Sequence, residues 1–211
     1  EHVTELGPDL IVMCAHGRRG TRERLFGNIA QQIIGMGKTP VLIVHPVSAD
    51  NVAGFSCRKI LLPVDGNPAH EQAIQAALSL AKKCAATMAL VMVVPTMGTL
   101  SGIKAATGRL LPRAIRELLA QEHESGEEYL RRRQKALQDA GVAVTTQVVR
   151  GDPATTILST AEDSGADLLV LGTHGKSGMD AFWEGSVGYQ VCSQCKLPVL
   201  LVPVQGSGRD T

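Results

Sequence analysis

Residues 167–202 read DLLVLGTHGKSGMDAFWEGSVGYQVCSQCKLPVLLV, and residues 9–44 read DLIVMCAHGRRGTRERLFGNIAQQIIGMGKTPVLIV. The two stretches align without a gap at an offset of 158 (167 minus 9), and roughly a third of their positions are identical. Each opens and closes on an apolar run too short for a helix and holds a helix-length segment between them. Such self-similarity is the sequence mark of a repeated structural unit. The later copy is preceded by three further runs, KILLPVD (59–65), MALVMVV (88–94) and VAVTTQVV (142–149). They are nearly continuous rather than alternating, as expected of parallel strands buried on both faces. The earlier copy has no such runs before it. Residues 1–47 are therefore read as the closing strand–helix–strand part of a first domain, 48–56 as a linker, 57–204 as a complete domain and 205–211 as a tail.

Between the strands lie helix signals. Asn67-Pro68 and Asp152-Pro153 each pair a capping residue with a proline in the first turn. PAHEQAIQAALSLAKKCAA (68–86) has apolar residues every three to four positions, and 111–140 is a long, charged segment suited to a solvated helix face. Strands alternating with helices give an α/β, doubly wound sheet with right-handed crossovers and helices on both faces. PTMGTLSGIKAATGRL (95–110) has three glycines and no firm period. It reads as a loop, lid-like or disordered.

Composition sets the outer bounds. The chain has 211 residues, is 44% hydrophobic and has a formal net charge of +1. Near-neutrality argues against nucleic acid or an anionic membrane as partner. No apolar run approaches the ~20 residues needed to span a bilayer. The five cysteines, Cys14, Cys57, Cys84, Cys192 and Cys195, are odd in number and lie mostly in apolar segments, which fits reduced thiols in a cytoplasmic protein. Cys192-x2-Cys195 lies on one helix face without the further ligands a zinc site needs. The sequence contains no Walker lysine loop, no nucleophile elbow and no zinc-protease helix.

The chemistry concentrates in the second copy. Gly172-x2-Gly175-x9-Gly185-Ser186 places two glycines where a strand ends and a Gly-Ser pair where a helix begins. Glycines let a backbone approach a phosphate closely. A helix N-terminus offers unsatisfied N–H groups and a favourable dipole to an anion. An ordinary glycine-rich turn with a capping serine is the alternative. Asp65, at the end of its strand, suits a ribose hydroxyl, a divalent ion or an Asx turn, and His174 suits a phosphate or a backbone partner.

The glycine spacing, KILLPVDGN at the domain start, GDPATTIL before the fourth strand and the closing PVLLV together resemble the universal stress protein family. The resemblance covers nearly all of 57–204 and part of 1–47. It implies an open five-stranded parallel sheet of order 3-2-1-4-5, dimerisation through the last strand and, in many members, ATP binding. Matched position by position, Pro63, Val64, Asp65 and Val93 would line the adenine and ribose end. Leu171, Gly172, His174, Gly175, Gly185, Ser186 and Val187 would hold ribose and phosphates. Final strands 40–44 and 198–202 would pair antiparallel, within one chain or in self-association. Departures exist: Trp183-Glu184 precedes Gly-Ser where the family has apolar residues, and Asp180 adds a second acid against Lys176. A bound triphosphate is therefore expected with Mg or Mn. In the first copy Cys14 and Asn28 replace the first glycine and the serine, and no second nucleotide site is expected there. The functional expectation is a nucleotide-dependent regulator in stress response with at most slow ATP hydrolysis. The alternative is an interaction module whose pocket is empty or holds another ligand.

Overall fold

The computed structural model describes residues 7–14, 33, 39–44, 55–68, 71–100, 102–174 and 186–204. Seven strands form one sheet: β1 (Ile11–Cys14), β2 (Val41–Val44), β3 (Lys59–Pro63), β4 (Thr87–Val94), β5 (Val144–Arg150), β6 (Leu168–His174) and β7 (Val199–Val204). The described helices are α1 (Glu71–Cys84), α2 (Gly102–Leu110), α3 (Pro112–Asp139), α4 (Pro153–Ser164) and α5 (Val187–Gln194). Strand order is β1-β2-β7-β6-β3-β4-β5. Every neighbouring pair is parallel except β2 and β7, which run antiparallel.

This corrects the five-stranded, all-parallel expectation. The five strands after residue 57 do lie in the order 3-2-1-4-5, but the sheet does not end with them. A parallel β7 edge would leave a row of unpaired backbone groups, and β2 covers it through Val41↔Leu201, Leu42↔Leu200 and Ile43↔Val199. Residues 11–14 and 41–44 thus join the same sheet, by the antiparallel pairing of 40–44 with 198–202 within one chain. The boundaries drawn at 48–56 and 205–211 fall mostly outside the described residues.

The runs are continuous in hydrophobicity because both faces are covered. Ile60 and Leu62 of β3 point into one core with Ala73, Ile74, Ala77 and Ala81 of α1 and Leu130 and Leu137 of α3. Leu61 points into the other, with Ala154, Ile157 and Ala161 of α4 and Val191 and Cys192 of α5. The alternation passes unbroken into β2: Leu42 belongs to the first core, Val41 and Ile43 to the second.

Local chemistry fixes the turns. Asp152 caps α4 by accepting the Thr155 amide at 3.0 Å, with Pro153 in the first turn. Gly151 before it has no room for a side chain, since a Cβ would collide with the Thr156 hydroxyl. The segment 95–110, expected as a loop, is helical over Gly102–Leu110. Its glycines blur the period, but each has a place. Gly102 takes φ +56° at the helix start, and Gly108 packs under Met97 and Leu100.

Asp167 locks β3 to β6. Its carboxylate accepts the Arg58 amide (2.9 Å), the Lys59 amide (2.9 Å) and the Ser56 hydroxyl (2.8 Å), while its own amide donates to the Lys59 carbonyl (3.0 Å). Burial opposes the charge, but the Lys59 and Arg58 amides and the Ser56 hydroxyl outweigh it, and the carboxyl titrates below its ordinary range.

Two predictions follow from this architecture. A proline at Leu42 removes a donor from an interior strand. Leu42→Pro should make β1 and β2 susceptible to limited proteolysis while β3–β7 stay resistant, and equal resistance of all strands would show that the β2–β7 pairing is not what holds them. Asp167→Asn should destabilise the chain near neutral pH by about 2 kcal/mol, the scale of hydrogen bonds to a charged group, with the exposed Arg58 contact adding little. Because the folded pKa is depressed, the stabilisation is present above the unfolded value near ~4 and is lost as pH falls through the folded one. Denaturant melts of both proteins should therefore converge in acid.

Candidate functional site

The sheet order reverses between β3 and β6, and these strands pair only through Ile60↔Leu168 and Leu61↔Leu169. Beyond that point β3 stays with β4 as far as Pro63↔Val91, while β6 stays with β7 as far as His174↔Val204. A crevice opens between the diverging carboxyl ends, where ligands of open α/β sheets bind. It holds a cavity of about 390 Å³.

Eight residues singled out from the sequence line this cavity: Pro63, Val64, Asp65, Val93, Leu171, Gly172, Ser186 and Val187. Four distant segments of the chain are thereby brought together. Val64 is held by its amide donating to the Val91 carbonyl at 2.9 Å. Asp65 accepts the Asn67 amide at 3.0 Å, and Gly66 takes φ +78°, so the Asx turn is formed where Asp65 lines the cavity. Gly172 lies within β6, paired with Val202. His174 ends β6, and its side chain, like all of Gly175 and Gly185, lies outside the described residues, as do Lys176, Asp180, Trp183 and Glu184.

Ser186 is the N-cap of α5, accepting the Tyr189 amide at 3.1 Å. Val187 and Gly188, the first residues of that helix, line the cavity beside it. First-turn amides have no acceptor within their own helix, so the positive end of α5 faces the crevice. Among the described lining residues Asp65 is the only charged one. Among the described lining residues, an anion would be met by backbone dipoles and by no lysine or arginine.

The remaining wall was not singled out from the sequence. Ala73 of α1, Val91 of β4, and Pro153 and Ile157 of α4 also line the cavity. Val91 was within reach, being two residues from Val93 and so on the same face of β4. Ile157 and Ala73 were not, because only the packing of helices on opposite faces brings them there.

A second cavity, of about 630 Å³, shares Asp65 and Val93 with the first and extends under α3 along Gln121, Glu122, Ser125 and Gly126. Gly126 permits that close approach of helix to sheet: a Cβ there would stand 2.7 Å from the Met92 sulfur. Glu122 is paired with Lys104 of α2 at 2.8 Å. Among the described residues no group of three potential ligands could hold a metal ion from protein side chains alone. Cys192, within α5, and Cys195, its C-cap, are both buried. Burial pushes the Cys192 thiol well up, and Cys195 donates to the Leu197 carbonyl at 3.7 Å. No described helix is long and apolar enough to cross a membrane.

Comparison with known proteins agrees with this architecture. The model of the universal stress protein family matches residues 1–45 and 56–203. A universal stress protein of Methanocaldococcus jannaschii is 34% identical over 145 residues, covering 69% of this chain and 81% of that protein. Universal stress protein YxiE of Bacillus subtilis is 30% identical over 148 residues, covering 68% of this chain and 97% of its own length. Among solved structures, a universal stress protein from Archaeoglobus fulgidus superposes over 96% of this chain with a TM-score of 0.62 at 19% identity, and this chain spans 62% of its length. UspA from Lactobacillus plantarum superposes over 71% of this chain and 99% of its own, with a TM-score of 0.58 at 24% identity. With the family model matching most of its length and two relatives at 30% identity or more, the chain belongs to the universal stress protein family.

Proposed function

We propose that the chain binds ATP, with Mg or Mn, in the crevice between β3, β4, β6 and α5, and acts in the cytoplasm as a nucleotide-dependent regulator in stress response. The observation that carries this reading is the cavity at the sheet's switch point, with an apolar wall at one end and a helix N-terminus at the other. The apolar wall of Val64, Val91, Val93 and Ile157 suits an adenine ring. Asp65, the one charged residue of the described lining, suits a ribose hydroxyl or the metal. Gly172 and the first turn of α5 suit phosphate oxygens, and the divalent ion supplies the positive charge that the described lining lacks. His174, Gly175 and Gly185 complete the phosphate end in this proposal.

Residues 1–47 fit the closing part of a further unit of the same family. The register supports it: Ile11↔Val41 of β1 and β2 is Leu169↔Val199 of β6 and β7 shifted by 158 at both positions. The antiparallel pairing of 40–44 with 198–202 then joins equivalent edges about a pseudo-two-fold axis through Leu42 and Leu200. Self-association of two chains would use the same edges, exchanged between copies.

Gly172→Leu should abolish ATP binding, because the side chain would occupy the phosphate's approach. Calorimetry with Mg-ATP on the wild type and this variant, with circular dichroism to confirm the fold, tests it. Equal affinity in both would overturn the assignment, and no binding by either would favour an interaction module with another ligand. Hydrolysis should be slow, since among the described lining residues there is no arginine or lysine to stabilise transferring charge and no base beyond Asp65. A phosphate-release assay should give a turnover below about 1 s⁻¹, the low end of ordinary enzymes.

A further inference from the structure

The corner where α2 meets α3 carries the most exposed leucines of the described residues. Pro112 opens α3, and Leu111 before it sits at φ −130°, ψ 62°. A residue preceding proline is steered away from helical backbone, so the chain turns here without a loop. The turn is firm. The Leu111 amide donates to the Thr107 carbonyl at 2.8 Å, and the Ile115 amide donates to the Leu111 carbonyl at 3.1 Å. Its inner side faces the core: Ile115 and Leu119 are buried with Val94, and a side chain at Gly108 would press on Leu100 and Met97. Its outer side is left to solvent. Leu110 is 80% exposed and Leu111 58%, and every residue from 109 to 114 is exposed.

The charge around this leucine pair is one-sided. Residues 95–116 contain Lys104, Arg109, Arg113 and Arg116 and no acidic residue. The chain's net charge of +1 averages over this concentration. Lys104 is answered by Glu122 at 2.8 Å, and Arg113 by Glu117 at 3.1 Å. Arg109 and Arg116 pair with no carboxylate among the described residues. Arg116 folds back to the corner, its Nε donating to the Pro112 carbonyl at 3.2 Å. Its charge therefore lies beside the residue that follows Leu111. Arg109, also exposed, directly precedes Leu110.

We propose that this corner docks the protein on an anionic lipid surface, with Leu110 and Leu111 entering the interface while Arg109 and Arg116 meet the headgroups. Apolar side chains flanked by cations are the composition that interfacial binding uses. Each cation brought to an anionic leaflet adds to the attraction. Long arginine stems let the charge stay at headgroup level while the leucines go deeper. The shape favours lipid over a protein partner. A protruding corner offers little of the roughly 800 Å² per partner that a stable protein interface buries, whereas a bilayer closes around a wedge of any outline. None of these four residues lines the crevice, so docking leaves the proposed nucleotide site open.

The test is co-sedimentation of the full chain with two kinds of vesicle, phosphatidylcholine alone and phosphatidylcholine with phosphatidylserine in a two-to-one ratio. The chain should pellet with the second and not with the first. Added salt should release it, because exposed charges are screened beyond about 8 Å at physiological ionic strength and closer in at higher salt. Arg109→Gln and Arg116→Gln should each weaken the partition about fivefold. Leu110→Ser combined with Leu111→Ser should weaken it about tenfold. All four side chains are exposed, and circular dichroism checks that the variants fold. Equal pelleting with both vesicles, or undiminished binding by the leucine or the arginine variants, would overturn the proposal. So would pelleting with neither vesicle, the outcome expected if the corner meets a protein instead.

Discussion

The seam between β3 and β6 is the constraint on which the rest of the molecule depends. Two parallel strands from opposite halves of the domain, about a hundred residues apart in sequence, must be held together where their helices depart to opposite faces. Asp167 does this at the amino end by drawing the Arg58 and Lys59 amides and the Ser56 hydroxyl onto one carboxylate. The ladder then runs for only two registered pairs before β3 follows β4 and β6 follows β7. Tight at one end and open at the other, the seam creates a crevice without any residue being missing from the core.

What lines the crevice follows from where each element has to stop. Pro63 has no N–H to continue a ladder, and Asp65 with Gly66 turns the chain away through an Asx turn. Ser186 starts α5 by capping it, and this leaves the first-turn amides directed at the same space. On the other side of Asp65, α3 can lie close to β4 only because Gly126 carries no side chain. The two neighbouring cavities therefore share one carboxylate.

The far side of the sheet is organised by pairing equivalent edges. β2 meets β7 antiparallel about Leu42 and Leu200, and the hydrophobic alternation of both cores crosses that junction without a break. Strand β1 is then the outer edge, with Val12 60% exposed. A buried strand in this family fold needs covering on both faces and both edges, and here the earlier segment of the chain supplies one of those edges.

Much of this was legible in the residues themselves. Continuous Val-, Ile- and Leu-rich runs specify strands buried on both faces, because an exposed face would need polar residues at alternate positions. Asp152-Pro153 and Ser186 specify helix starts because their chemistry satisfies amides locally. The glycine spacing pointed to Gly172 and Ser186 in one site, and both line the crevice. The helix over Gly102–Leu110 was not legible, because its glycines break the period and its stability comes from packing on α3. Nor were Ala73 and Ile157 as cavity walls, or the choice of pairing 40–44 with 198–202 within one chain and not between two. Each of these depends on which faces and edges meet across long sequence separations. Local propensity and spacing carry no record of that choice, which is made only when the burial of both sheet faces is satisfied at once.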